Sequence, residues 1–249
     1  MAAPNRVVIN RGKNWDASMH IDETTEQAFL THGRRMSFQA GQTIIREDGE
    51  PCEVFLLIRG RVMVTGISPT GRQVIYEELD GRTVFGELAA IDDGPRCASV
   101  VAVGDGEVLA LPIERFRSMM ARDAGLAVHV INRLATALRR SDERIRDLCT
   151  MSARARIARE LGRLVRVGGV TGYDTVIPIF PSHQNLASRC GTTRETVTRA
   201  LGDLQTRGLI VSESGGGVRV PDREALIRAY DDTDSPPDAQ SGRPRRSRC

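Results

Sequence analysis

Lysine is almost missing from this chain. Of its 35 basic residues only Lys13 is a lysine, and the rest are arginine. Cysteine and histidine are few and dispersed. Cys52, Cys97, Cys149, Cys190 and Cys249 form no CxxC pair, and His20, His32, His129 and His183 lie far apart. Zinc and iron–sulfur sites need clustered ligands, so a metal centre is not expected. A disulfide framework is equally unexpected in a chain of 249 residues. No histidine falls between residues 36 and 113, which removes the strand-borne histidines of a cupin-type metalloenzyme. With no catalytic constellation in sight, an enzyme is not expected. No apolar run approaches about 18 residues, so no membrane-spanning helix or membrane partner is expected. The opening stretch MAAPNRVVINRGKNWDASMH lacks an apolar core and a small-residue cleavage site. The expected location is therefore the cytoplasm.

What is present is unevenly placed. The formal net charge is +3. Residues 18–113 carry 8 arginines against 15 acids, whereas residues 152–230 carry 12 arginines against 7 acids. A nearly neutral chain thus divides into an acidic and a basic half. A basic half suggests a polyanionic partner, with nucleic acid first among the candidates.

Texture divides the chain in the same way. Residues 1–20 are polar and aperiodic and read as a flexible arm. A helical stretch from about Glu23 to His32 follows. From 36 to 113, short apolar runs such as Val54–Ile58, Val62–Val64 and Ser99–Val103 alternate with glycine-bearing turns. Many short strands at even spacing predict a β-roll over 21–113. Residues 114–150 hold only Gly125 and no proline, and they predict one long helix. Spacings of three and four pick out a seam at Ala127, Val130, Leu134, Ala137, Ser141, Arg144 and Leu148, the pattern of a helix that packs against its own copy. Ser141, with Asp142 beside it, is polar in that seam. Such a residue either fixes register or faces a ligand, and the helix alone supports both readings.

Residues 151–230 predict helix, strand (Thr175–Ile179), helix capped by Ser182, glycine turn at Gly191, helix (Thr193–Thr206) and a hairpin. The hairpin runs through Leu209–Val211 and Val218–Val220 around Gly215–Gly217. That order is the outline of a winged helix-turn-helix. The expected fold class is α+β: an N-terminal β-roll, a long dimerisation helix and a C-terminal winged helix-turn-helix. The tail, 231–249, reads as disordered.

Two constellations carry the chemistry. In Phe85-Gly-Glu-Leu-Ala-Ala-Ile-Asp-Asp-Gly-Pro-Arg-Cys-Ala-Ser99, Gly86 lets backbone approach a ligand and Glu87 can accept from a ribose hydroxyl. The short turn Leu88–Asp92 offers amide N–H groups to an anion, and Arg96 supplies a fork matched to phosphate. In the second, Glu195 and Arg199 lie one turn apart with Arg194 adjacent, a trio able to read G·C pairs in a major groove. Thr192, Thr193 and Thr196, with Ser182, are placed for phosphates.

The first segment resembles the phosphate-binding cassette of cyclic-nucleotide-binding domains. The second, Gly191-Thr-Thr-Arg-Glu-Thr-Val-Thr-Arg-Ala-Leu201, resembles the recognition helix of the CRP/FNR family of bacterial transcription regulators. Together with the helix between them they cover about three quarters of the chain, in the family's order. The resemblance implies a homodimer that binds a palindromic DNA operator, with half-sites like GTGA, in response to cAMP or cGMP. It implies Glu87 on the ribose, Arg96 on the cyclic phosphate, Cys97 beside it, and Ser141, with Asp142 second, near the base. RNA polymerase is a further candidate partner. Cys97 stands where the family often has Ser or Thr, and Arg82 where it often has glycine. Two alternatives remain: a redox signal through Cys97, and effector-free DNA binding.

Overall fold

The computed structural model describes residues 21, 23–167, 174–177, 180–213 and 216–230. The arm 1–20, the tail 231–249, the end of the predicted strand at 178–179 and Gly215 at the hairpin tip lie outside the described residues. The chain divides into two compact units, residues up to Gly66 with Tyr76–Arg140, and Ile67–Ile75 with the chain from Ser141 onward.

The first unit opens with α1 (Glu23–His32), followed by strands β1 (Arg34–Phe38), β2 (Thr43–Ile45), β3 (Glu53–Arg59) and β4 (Val62–Ile67). Next come β5 (Gln73–Leu79), β6 (Thr83–Phe85), the short α2 (Leu88–Asp92), β7 (Ser99–Ala102) and β8 (Gly106–Pro112). They form two four-stranded sheets, ordered β1-β8-β3-β6 and β2-β7-β4-β5. Strand β3 is buried along Val54–Leu57, and β8 along Val108–Leu111. Continuous burial rather than alternation follows from a strand covered on both faces. Phe55 and Phe85 stack, with ring centroids 5.3 Å apart. Such a pair adds about 0.5–1.5 kcal/mol beyond its burial, and it anchors the first residue of the cassette. Arg82 adopts the left-handed backbone conformation (φ 62) that favours the glycine often found there, and its side chain pairs with Glu26 at 2.6 Å.

The long helix of the sequence reading is two helices, α3 (Ile113–Arg122) and α4 (Ala124–Thr150). Asp123 separates them. Its backbone is extended, its N–H closes α3 on the Met119 carbonyl, and its carboxylate accepts from the N–H groups of Gly125 and Leu126. An aspartate in this position is an ordinary N-cap, and neither proline nor a run of glycines is needed to break the helix. At 27 residues, α4 is roughly 40 Å long.

The seam read from sequence also requires correction. Val130 is buried and packs with Leu126, while the partly buried Leu134 packs against the same cluster as Phe29, Val54 and Phe116. The first half of that stripe therefore closes the core of the first unit, whereas Ser141 and Leu148 further along it are exposed. The stripe left exposed lies one residue further along: Val128, Ile131, Ala135, Leu138, Asp142, Ile145 and Cys149. Val128, Ile131, Leu138 and Ile145 are each more than half exposed. Two interleaved three-and-four patterns run along one helix, and sequence periodicity alone does not say which faces inward. The polar position in the exposed stripe is Asp142, not Ser141.

The second unit contains α5 (Ala153–Val167), β9 (Thr175–Ile177), α6 (His183–Cys190), α7 (Arg194–Thr206), β10 (Val211–Ser212), β11 (Val218–Val220) and α8 (Arg223–Arg228). Its sheet has the antiparallel order β10-β11-β9. The core gathers Ile157 and Leu161 of α5, Leu186 of α6, Val197, Ala200 and Leu204 of α7, and Leu226 of α8. Among the described residues, no helix is long and apolar enough to cross a membrane, and no cluster of His, Cys, Asp and Glu could hold a metal.

Candidate functional site

The cassette sits where β6 leaves its sheet. Gly86 has φ +77, and a Cβ added there would stand 2.9 Å from both the Arg96 guanidinium and Ile45. Only glycine satisfies that conformation and that closeness together. Glu87 follows at the head of α2 and is buried, whereas Leu88 is exposed. Arg96 is 7% exposed. Its Nη1 donates to the Gly86 carbonyl at 2.8 Å and its Nη2 to the Glu53 carbonyl at 2.6 Å. These bonds occupy two of its five N–H donors. Burial holds its pKa below the ordinary arginine value, against the pull of Cys52, Cys97, Glu53 and Glu87. Among the described residues Arg96 has no carboxylate within ion-pair distance. A buried cation bonded only to carbonyls is electrostatically under-compensated. Cys97 is exposed as a residue, and its thiol is pushed up by burial and then by Glu87, Asp92 and Glu47.

One residue at this site was not anticipated. Arg133 of α4 is 8% exposed in its side chain and places Nε 3.3 Å from Glu87 Oε1. Its Nη2 lies 3.8 Å from Glu77, which also pairs with Arg140 at 2.8 Å. Its Nη1 is buried with no hydrogen-bond partner. The sequence did carry a signal: Arg133 follows Val130 by three and precedes Leu134 and Ala137, a charge set within the inward stripe of an amphipathic helix. Ser141 and Asp142 are exposed on α4, in the second unit.

The helix-turn-helix is assembled by its caps. Ser182 accepts from the Asn185 N–H and starts α6. Gly191 ends α6 in the left-handed conformation, φ +60, with its N–H on the Ala187 carbonyl. The Thr192 N–H bonds to the same carbonyl at 3.0 Å. Thr193 caps α7 by accepting from Thr196 N–H. The hydroxyls of Ser182 and Thr193 thus have structural work; Ser182 keeps a proton to donate to a phosphate, whereas the Thr193 hydroxyl also bonds the Glu195 carboxylate and lies 3.0 Å from Thr196 Oγ1. Helix α7 buries Val197, Leu201 and Leu204 and exposes Arg194, Glu195 and Arg199, while Thr196 is half-buried. Glu195 is held below the usual carboxylate range by its backbone N–H bond, the Thr193 hydroxyl and the two arginines. His183, also not anticipated, meets Thr198 of α7 at 2.9 Å.

Comparison with known proteins matches the two regions that hold these residues. The cyclic nucleotide-binding domain matches residues 35–123, and the Crp-like helix-turn-helix domain matches residues 155–229. These matches define a CRP-like transcription regulator with a sensor domain and a helix-turn-helix domain. The chain is 30% identical over 195 residues to the CRP-like cAMP-activated global transcriptional regulator of Mycobacterium tuberculosis, spanning 78% of this chain and 86% of that protein. It is 32% identical over 199 residues to the cyclic AMP receptor protein of Thermus thermophilus, spanning 80% and 88%. The crystal structure of TTHB099, a CRP-family transcriptional regulator from Thermus thermophilus, superposes with a TM-score of 0.62 at 26% identity, covering 79% of this chain and 96% of that one. The chain belongs to the CRP/FNR family of transcription regulators, and it is not an enzyme.

Proposed function

We propose that this protein is a cyclic-nucleotide-responsive homodimer that binds a palindromic DNA operator. The observation that carries the reading is Arg96: a buried guanidinium with no carboxylate partner, beside a glycine that leaves room and a glutamate that accepts hydrogen bonds. A cyclic phosphate diester supplies the missing negative charge. Glu87 takes the ribose hydroxyl, with Leu88 and Cys97 contributing backbone N–H groups. Ser141 and Asp142 are the proposed contacts to the base. Relatives described as cAMP-activated support cAMP over cGMP as the effector.

The exposed stripe of α4 is the proposed dimer seam, because four large apolar side chains at three-and-four spacing favour burial against a copy. Helix α7 then enters a major groove, with Arg194, Glu195 and Arg199 on base edges, and Ser182, Thr192, Thr193 and Thr196 on phosphates. Nucleotide that binds the DNA-competent arrangement more tightly shifts the population toward it.

DNA titration at fixed salt, with and without each nucleotide, tests this reading. Affinity for a palindrome should rise at least several-fold with one nucleotide. Affinity indifferent to both would leave a regulator with another signal. Redox control through Cys97 is the weaker alternative, since its surroundings disfavour the reactive thiolate.

A further inference from the structure

Two helices of the second unit end beside one guanidinium. Helix α4 stops at Thr150 and α5 starts at Ala153, so only Met151 and Ser152 join them. Arg156, in the first turn of α5, donates through Nη1 to the Met151 carbonyl at 2.8 Å. Its Nε donates to the Cys190 carbonyl at 2.9 Å and its Nη2 to the Gly191 carbonyl at 3.4 Å. Cys190 and Gly191 close α6, and the Cys190 thiol returns a bond to the Arg156 carbonyl. The last carbonyls of a helix lack intrahelical partners and carry its negative dipole end. One planar fork thus caps α6 and holds the carbonyl that follows α4. The two ends also touch directly: a Cβ on Gly191 would meet Leu148 Cδ2 of α4 at 3.1 Å. Asp147, in the same turn of α4, pairs with Arg159 and Arg163 of α5 at 2.9 and 2.7 Å.

Gly191 is the turn of the helix-turn-helix, and α7 begins at Arg194 soon after it. Ile145 and Cys149, the last members of the exposed stripe, share the end of α4 with Asp147 and Leu148. A short path therefore runs from the proposed seam to the recognition helix, and Arg156 bridges it. We propose that Arg156 is a positioning residue that sets the half-site spacing a dimer accepts. The inference rests on the palindrome-binding homodimer proposed above, and it requires no contact between Arg156 and DNA. Each base pair added between half-sites moves one recognition helix about 3.4 Å along the duplex and turns it about 35°. Without the fork, the turn keeps its packing on α5 but loses its bonded link to the end of α4. A recognition helix tied to the seam resists the displacement, and one without that link follows it more readily.

Binding of the full chain, with cAMP present, to a palindrome selected by wild type from random DNA provides the test. That operator is shortened and lengthened by one central base pair, and separately altered at single bases of one half-site, all at fixed salt. Wild type should lose about ten-fold or more in affinity at either altered spacing. Arg156→Gln should lose less than about three-fold there, with single-base preferences like those of wild type. Should Arg156→Gln fail to fold by circular dichroism, Arg156→Lys decides, because it keeps the charge and lacks the fork that spans both helix ends. Spacing discrimination unchanged in a folded variant would overturn the inference. So would base preference falling in equal proportion, which would mark Arg156 as a support of the helix-turn-helix itself. A wild type that binds single half-sites as a monomer, or every spacing equally, would instead remove the dimer reading, and this inference with it.

Discussion

Arg133 Nε lies 3.3 Å from Glu87 Oε1, joining the middle of α4 to the first residue after the cassette glycine. Both side chains are more than nine-tenths buried. In the structure the proposed ribose acceptor is thus already oriented by a cation from the helix that carries the exposed seam. In the proposed complex, ligand and helix meet on the same carboxylate.

Removing Arg133 alone should therefore be costly. Arg133→Met leaves Glu87 and Glu77 without their shared partner, and breaking a buried pair costs about 3–5 kcal/mol. Arg133→Met combined with Glu87→Gln should recover much of that loss in chemical denaturation. It should not recover nucleotide affinity, because Glu87 is then no longer a carboxylate. Additive losses in the double variant would show that the two residues act independently.

The exposed stripe makes a separate prediction. Leu138→Glu should convert the protein to a monomer in analytical ultracentrifugation without unfolding it, since Leu138 is 63% exposed. Leu134→Glu should instead destabilise the fold, because Leu134 packs against the core of the first unit. A dimer that survives Leu138→Glu would place the interface elsewhere.

At the recognition helix, Arg199→Ala should relax sequence preference by ~1–3 kcal/mol at one base pair, the worth of a bidentate guanine contact. Thr193→Ala should lower stability by about 1 kcal/mol through loss of the α7 cap. It should also weaken binding evenly across operator sequences. Competition assays on single-base operator variants separate the two patterns.

Much of this was legible beforehand, and the failures share a cause. Gly86, Glu87 and Arg96 stand out because a short cassette demands particular residue types in fixed order. The caps Ser182 and Thr193 are legible because an N-cap is a local event. What requires three dimensions is which of two interleaved stripes on α4 faces inward, and the partnership of Arg133 with a residue 46 positions away. The break at Asp123 was available locally, as an aspartate two residues before Gly125, but the lack of proline obscured it. Arg82 shows the reverse case, where a departure from the family's glycine keeps the glycine's backbone conformation.

Alkaline pH should destabilise the second unit in a defined window. Burial pushes the Cys190 thiol up to about 12 from 9.0. Burial, with the hydrogen bond to Asp203, pushes Tyr230 up to about 12 from 10.0. Between these limits the unfolded chain has released protons that the folded chain retains. Stability is therefore fully present below pH 9 and falls as pH rises toward 12. Denaturation midpoints measured across that range should decline, and less steeply in Cys190→Ala. In the native protein at neutral pH, Cys190 should also resist thiol reagents that label Cys52 and Cys97, which are exposed and lie off the proposed seam.

The role assigned to Arg96 is tested most directly by titration calorimetry of cAMP and cGMP into wild type and Arg96→Ala, with folding of the variant checked by circular dichroism. The expected result is saturable binding of one or both nucleotides to wild type and none to the folded variant. Absence of binding to wild type, or equal binding to both proteins, would contradict the assignment of Arg96 to the cyclic phosphate.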